Sequence, residues 1–372
     1  MTRDDGDRLR ADTGVVPRLL RLTVVVLLAV AGSLGTVASA GGEALQWLPA
    51  GGRIGAFSLV SADGAERYVA PRGGTVIVIW ASWAPASIDA LKDILPVARQ
   101  NLMHWSVLPI NVDAVAPSSP RRDQISALLR AETGYRDTVW FDPGLELFDR
   151  WGVVAVPTVL ITDAGGRAVV VERGWSAHVR ERVFGFMGVG DHASTAPDTA
   201  LLRWGGRLGD IMQQWRQGRT APATRELSPI RRSCPDWAAP RVFAAFWCWD
   251  VGDTACARNA AEKAMAADST DPWAHTAAAV IQLRHRHYDL AARLAERAIG
   301  LDSTFAPAWS LLAQLALQDA REGDSWEALA VLGRLNPHNP AYDVIAAMLH
   351  ERQGDTDSAL TRWRRGLKRR LY

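Results

Sequence analysis

Residues 80–87 of this 372-residue chain read Trp-Ala-Ser-Trp-Ala-Pro-Ala-Ser, and this stretch decides the fold. An apolar, β-branched run, TVIVIW at residues 75–80, leads into it. Residues 88–100 follow it with apolar side chains at helical spacing. The run predicts a buried strand and the spacing predicts a helix. The eight residues therefore form a strand-to-helix turn.

Further strands and helices alternate on the C-terminal side of this turn. Residues 105–112 predict a second strand, and residues 124–133 predict an amphipathic helix. Two more apolar runs, 159–162 and 167–172, are joined by a glycine-containing turn, which predicts a β-hairpin. The pattern indicates an α/β domain.

The turn and the order of elements resemble the thioredoxin-like proteins of bacterial envelopes, the TlpA/ResA type, whose motif is close to WASWCPPC. A later Val-Pro-Thr triplet, here Val156, Pro157 and Thr158, also matches that family. The resemblance implies a thioredoxin-like fold over residues 51–187. It also implies a cis peptide bond before Pro157 and a docking site for an extended peptide at the triplet.

The chain differs from the family motif at the two cysteine positions, which carry the redox chemistry in that family. A dithiol enzyme needs one thiolate to attack a disulfide and a second sulfur to resolve the intermediate. Ala84 and Ser87 stand at the two cysteine positions. No histidine or carboxylate within the motif could activate Ser87, so we expect its hydroxyl to bond to the nearby backbone. We predict a vestigial turn without a catalytic residue, made of Trp83, Ala84, Pro85, Ala86 and Ser87.

All three cysteines lie outside this region, and none has the C-x-x-C spacing. A structural disulfide could join Cys248 to Cys256, or Cys234 to either of them, and one sulfur is left over.

The N-terminus indicates export. Residues 1–17 predict a disordered cytoplasmic tail. Within residues 18–42, Arg18 and Arg21 precede an uncharged stretch that ends near a small-x-small pattern at Ala38 and Ala40. This segment is either a cleaved signal peptide or one membrane anchor helix. Both alternatives place the rest of the chain on the periplasmic side of the cell envelope, secreted or anchored in the inner membrane.

Residues 188–237 predict a linker containing one helix, at 201–217, with an irregular stretch at 219–235. After it, the chain repeats itself at a shift of 34 residues, with units that start at 238, 272, 306 and 340. Small residues recur at two positions of each unit: Ala245, Ala279, Ala313 and Ala347, then Ala257, Ala291, Ser325 and Ala359. The period and these residues resemble tetratricopeptide (TPR) repeats, which implies an all-α solenoid over residues 238–372.

By the same resemblance, the first helix of each repeat lines a groove for a protein or an extended peptide. The side chains predicted to face it are Phe246, Trp249, Trp273, Val280 and Leu283. The final helix is rich in arginine, which serves either as a soluble end face or as a contact with anionic lipid.

Other function classes have little support in the sequence. The net charge of +2 gives no basis for nucleic-acid binding. His285 and His287 lack a cluster of further ligands, so we predict no metal and no cofactor. Oligomeric state is left open.

The leading hypothesis is an exported, redox-inactive scaffold that binds proteins, linked by family analogy to cytochrome c maturation or thiol redox homeostasis. The alternatives are a TlpA/ResA-type thiol-disulfide oxidoreductase that uses a non-standard cysteine, and a chaperone-like holdase.

Overall fold

The structure is a computed structural model that describes residues 48–71, 74–100, 105–114, 119, 121–189, 199–216 and 223–370. The predicted tail, 1–17, and the predicted signal or anchor segment, 18–42, lie outside these residues. Within the described ranges, no helix combines the length and the apolar character needed to cross a bilayer.

The first domain is built on a seven-stranded mixed sheet. Its strands are β1 (Phe57–Ser61), β2 (Glu66–Val69), β3 (Thr75–Trp80), β4 (Ser106–Asn111), β5 (Trp140–Phe141), β6 (Thr158–Thr162) and β7 (Ala168–Arg173). Their spatial order is β2-β1-β5-β4-β3-β6-β7. Central β3 runs parallel to β4 and antiparallel to β6, and β6 and β7 pair antiparallel. The helices of this domain are α1 (Pro85–Gln100), α2 (Arg121–Thr133), α3 (Glu146–Trp151) and α4 (Ala177–Phe186).

Strand β3 is buried throughout because both of its faces are covered. Side chains of a strand alternate between the two faces of the sheet. Val76, Val78 and Trp80 contribute to the core that includes α1, whereas Ile77 and Ile79 belong to the core on the opposite side. This double burial fixes the position of the turn that follows Trp80.

Two helices lie between the domains, α5 (Thr199–Arg216) and α6 (Ala223–Ser233). The expectation of an irregular stretch at 219–235 is wrong over α6. Pro229 lies inside this helix, and proline has the lowest helix preference of all residues. Leu227 and Ile230, three residues apart on one helical face, are fully buried in the core of the repeats, and this packing outweighs the weak local preference.

Four helical hairpins complete the chain. Their helices are α7 (Ala239–Asp250), α8 (Thr254–Ala267), α9 (Pro272–Arg284), α10 (Tyr288–Leu301), α11 (Ala306–Gln318), α12 (Glu322–Leu335), α13 (Pro340–Arg352) and α14 (Thr356–Arg370). The second helices begin at 254, 288, 322 and 356, at the 34-residue period found in the sequence.

The eight small residues of the repeat pattern are all buried, none with more than 2% of its surface exposed. At the one position where serine replaces alanine, Ser325 Oγ donates a hydrogen bond of 2.8 Å to the carbonyl oxygen of Ala313 in the partner helix. The bond satisfies the hydroxyl that burial would otherwise leave without a partner. Small side chains therefore permit the close contact of the two helices in each hairpin.

Candidate functional site

The vestigial turn follows β3 and continues into the first turn of α1. Pro85 is the first residue of α1, a position where its missing N–H is not needed. The amide of Ala84 bonds to the carbonyl of Ala81 over 3.3 Å. Ala84 is 8% exposed and shares an apolar cluster with Trp83 and Val156. A methyl group therefore lies in the core at the position of the first cysteine in the motif that this turn resembles.

Ser87 is fully buried, and its hydroxyl oxygen accepts a hydrogen bond of 3.3 Å from the amide of Ala81. Its amide in turn donates to the carbonyl of Ala84 over 2.9 Å. These bonds connect the two ends of the turn to the first turn of α1. The hydroxyl thus bonds to the backbone, as expected for this serine, and fastens the turn.

A buried carboxylate that the sequence reading did not single out also holds the turn. The Asp113 side chain is fully buried just after β4. Its carboxylate accepts hydrogen bonds from the Ser82 amide at 2.8 Å, from the Ser82 hydroxyl and from Asn111 Nδ2 at 3.0 Å. The guanidinium of Arg121 lies 3.8 Å away. The only sequence signal was the polar residue directly after a buried strand.

The Val156–Pro157 peptide bond is cis, and the pair lies beside the vestigial turn. Thr158 Oγ1 donates to the carbonyl of Ala155 over 2.7 Å, and the amide of Gly174 donates to the carbonyl of Pro157 over 2.7 Å. Val156 of the triplet that the family resemblance assigns to peptide docking therefore packs in the same apolar cluster as Trp83 and Ala84.

The turn between α12 and α13, residues 336–339, lies against this face of the first domain; we call it the repeat turn. Asn336 Nδ2 donates to the carbonyl oxygen of Val154 over 3.4 Å, and His338 Nε2 lies 3.0 Å from the carbonyl oxygen of Val112. Because a carbonyl can only accept, Nε2 carries the proton. The two domains are thus bonded at the strand ends that flank the vestigial turn.

The imidazole of His338 also packs between two aromatic rings of the first domain. Its ring centroid lies 6.2 Å from that of Trp83 and 5.8 Å from that of Phe148, both in edge-to-face arrangements. Such contacts contribute about 0.5–1.5 kcal/mol beyond the burial of area. The indole of Trp83 is therefore in contact with His338 of the repeat turn.

A second contact joins the domains at Arg173, the last residue of β7. Its Nε atom bonds to Oδ2 of Asp302 over 2.6 Å, and its guanidinium carbon lies 4.7 Å from the ring centroid of Phe305. The Arg173 side chain is only 9% exposed. Burial alone would raise the pKa of Asp302, but the charge of Arg173 and hydrogen bonds from Thr304 hold it below its ordinary value.

Four of the five side chains predicted to line the groove are buried in the structure. Phe246, Trp273, Val280 and Leu283 are at most 4% exposed, so they are packing residues and not ligand-facing ones. Helices α5 and α6 contribute buried side chains to the same core, and the Trp215 and Phe243 ring centroids are 5.6 Å apart. The chain's own linker helices thus share the core with the first repeats.

Trp249 is the one predicted groove residue that is still partly exposed. The guanidinium carbon of Arg284 lies 5.1 Å from its ring centroid, and the ring of His285 meets it edge-on at 5.8 Å. Tryptophan and arginine are among the residue types most enriched at the energetic hot spots of protein interfaces.

The cysteines are distant from the vestigial turn in sequence and lie in the helical region. Cys248 of α7 and Cys256 of α8 are joined by a disulfide, with a Cα–Cα distance of 5.6 Å, and Cys234 is buried. Among the described residues there is no group of three or more potential metal ligands. Nδ1 of His287 is instead hydrogen-bonded to Gln282 over 2.8 Å.

No family model and no curated protein matches the chain. Solved structures resemble parts of it. A putative thiol:disulfide interchange protein DsbE from Chlorobium tepidum is 20% identical, with 38% of this chain and 96% of that chain covered and a TM-score of 0.33. A thermophilic TPR protein from Thermus thermophilus is 15% identical, with coverages of 44% and 89% and a TM-score of 0.39. MamA from Desulfovibrio magneticus RS-1 is 19% identical, with coverages of 46% and 94% and a TM-score of 0.36. Likeness at this level assigns no function.

Proposed function

We propose that this chain is a redox-inactive scaffold of the cell envelope. Its thioredoxin-like domain holds a TPR array in a fixed orientation, and the array binds segments of other proteins. The observation that carries the proposal is the position of the repeat turn, which contacts Trp83 through His338 and lies beside the cis-proline segment through Asn336. The surface that a redox enzyme would offer to its substrate is, in this proposal, the contact surface between the two domains; we call this contact the joint.

The contacts at this joint are of a kind that contributes to stability. A hydrogen bond between uncharged groups contributes about 0.5–1.5 kcal/mol net, and leaving a buried partner unsatisfied costs about 1–3 kcal/mol. The His338 and Asn336 bonds therefore favour the docked arrangement. The His338 ring covers part of the surface at Trp83, while Pro85 and Ala86 of the same turn are exposed.

An insulin-reduction assay with dithiothreitol tests redox inactivity. We expect the rate to equal that of dithiothreitol alone, and to stay there in the Cys234→Ser, Cys248→Ser and Cys256→Ser variants. Catalysis that depends on any one of these cysteines would establish the alternative, an oxidoreductase with a non-standard cysteine. The holdase hypothesis depends on an open apolar groove, and the burial of four of its five residues leaves it without support.

The envelope location is supported by two features of different kinds. Residues 18–42 have the composition of a signal or anchor segment. Cys248 and Cys256 form a disulfide, a bond that persists mainly in oxidising compartments. Protease treatment of intact spheroplasts tests this location. Degradation of residues after 42 supports it, whereas full protection until the membrane is lysed contradicts it.

Protein binding by the repeats can be tested at Trp249. A photo-reactive amino acid placed at this partly exposed position should crosslink a discrete partner in cells. The same amino acid at Tyr68, which is 74% exposed on an edge strand of the first domain, is the matched control. Equal crosslinking at both positions, or none at Trp249, would contradict a binding surface on the repeats.

A further inference from the structure

Helix α14 is seated in the protein by one face only. The Asp343 carboxylate on α13 is 2% exposed and lies 3.0 Å from Arg362 Nη1 and 3.8 Å from Arg365 Nε. Gly366 permits the close approach of the two helices, because a Cβ atom there would stand 3.2 Å from Cγ2 of Val344. These contacts hold α14 in a fixed rotation about its axis.

The opposite edge of α14 exposes apolar side chains. Leu360 is 49% exposed and Leu367 is 52% exposed. Only five large apolar side chains are exposed among the described residues, and these leucines are two of them. Seven residues apart, they lie two helical turns from each other on the same face. Trp363 is partly exposed next to them, and its Nε1 donates to Glu351 over 2.8 Å.

The same helix concentrates positive charge. Its sequence holds six basic residues and one acidic residue, whereas the whole chain has a net charge of +2. Arg364 is exposed, follows Leu360 by one helical turn, and makes no ion pair with any residue that the structure describes. Lys368, Arg369 and Arg370 continue the basic run to the end of the helix. An apolar stripe therefore runs beside a basic one.

We propose that α14 lies on an anionic lipid surface, with Leu360 and Leu367 inserted at the headgroup boundary and Arg364 paired with phosphate groups. An interfacial helix combines leucine and tryptophan on one side with arginine and lysine on the other. Each basic residue near an anionic membrane contributes about 1 kcal/mol. This proposal goes beyond the scaffold function, which does not require it.

Two properties of the helix favour lipid over a protein occupant. A second copy of the chain would bring another six basic side chains against the first six, and like charges repel. The apolar stripe is also narrow, with two leucines and one tryptophan edge, whereas a stable protein interface buries about 1,200–2,000 Å² in total. A membrane surface supplies negative charge and requires no complementary shape.

Vesicle flotation of the full chain tests the proposal. One set of vesicles contains phosphatidylcholine alone, and the other contains phosphatidylcholine mixed with phosphatidylglycerol. We expect at least about tenfold stronger binding to the mixed vesicles, lost in the Leu360→Asp/Leu367→Asp variant and weakened by Arg364→Glu and by salt. The N-terminal apolar segment is present in every variant, so it cannot produce these differences.

The matched control is Leu290→Asp, which changes a leucine that is 37% exposed on α10. It should leave vesicle binding unchanged, and thermal melts should show that all variants are folded. If the double variant kept the preference for mixed vesicles over phosphatidylcholine vesicles, the proposal would be overturned. Loss of a dimer, seen by sedimentation, without any change in vesicle binding would also overturn it, because the stripe would then be a self-association surface. Redox inactivity and the crosslink at Trp249 do not depend on either result.

Discussion

The Nε2 atom of His338 lies 3.0 Å from the carbonyl oxygen of Val112, and this bond joins residues 226 positions apart in the chain. Val112 directly follows β4, next to the vestigial turn, and His338 lies in the turn between two repeat helices. The contact connects a region built on a sheet to one built on helical hairpins. The surface around the vestigial turn therefore takes part in the contact between the domains, a role that requires no cysteine.

Replacing His338 should loosen this joint. His338→Ala removes the bond to Val112 and the contacts with Trp83 and Phe148, which together should cost about 1–3 kcal/mol. Hydrogen exchange measured by mass spectrometry should show faster exchange in residues 80–87 and in α3. His287→Ala is the control, because His287 is an exposed turn residue of another repeat. Equal exchange in both variants would contradict the contact.

Acid should weaken the Arg173–Asp302 contact. The pKa of Asp302 is held below its ordinary value, so its ionised form stabilises the folded state at neutral pH. That contribution is present above the unfolded pKa of about 3.8 and is lost as the pH falls through the lower, folded value. Asp302→Asn should lower the melting temperature at pH 7 and reduce the acid sensitivity. A melting curve with the same pH dependence in both proteins would refute this.

The ionisation of Asp142 should lower the stability of the fold, whereas that of Asp302 raises it. Burial raises the pKa of this carboxyl to about 6, although backbone amides, including that of Phe148 at 2.9 Å, bond to it. Its ionisation is therefore less favourable in the folded state, and the stability it contributes falls as the pH rises from about 4 to about 6. Asp142→Asn should increase the free energy of unfolding at neutral pH by about 1–3 kcal/mol. Urea unfolding at pH 4 and pH 7 would detect the change, and destabilisation at pH 7 would contradict it.

The repeat register offers a test of helix packing. Ala279 is fully buried where α9 meets its partner helix, so Ala279→Leu should destabilise the array by about 1–3 kcal/mol through overpacking. Ala330 on α12 is exposed, and Ala330→Leu is the matched control. Thermal melts followed by circular dichroism should separate the two. If both substitutions were equally tolerated, the 34-residue register would not describe the packing.

The parts of this structure that follow from the sequence are those encoded by local pattern. The continuous apolar run of β3 and the 34-residue spacing of the small residues are both local sequence patterns, and the structure contains both elements. The β1–β2 hairpin was not predicted, because β2 is an edge strand with Glu66, Arg67 and Tyr68 exposed and lacks an apolar pattern. Helix α6 was also not predicted, for a different reason: it contains Pro229, and tertiary packing of Leu227 and Ile230 stabilises it.

The joint between the domains was beyond the reach of sequence reasoning. Asn336 and His338 look like ordinary turn residues, and their partners are the backbone carbonyls of Val154 and Val112, which any residue could supply. The groove prediction failed for a related reason. The positions were chosen by analogy with an open array, while Leu208, Met212 and Leu227 of the linker helices share the core with them. Long-range packing decides both features.

The most direct test of whether the repeat turn covers the vestigial turn is the rate of insulin reduction by a variant with two cysteines in that turn. The Ala84→Cys/Ser87→Cys protein places cysteines at both positions of the vestigial turn, and a second protein adds Asn336→Ala/His338→Ala. If the repeat turn blocks access, the first protein should reduce insulin slowly and the second at least about tenfold faster, a difference of about 1.4 kcal/mol in barrier height. Equal rates in the two proteins would show that the face is open and would contradict the account.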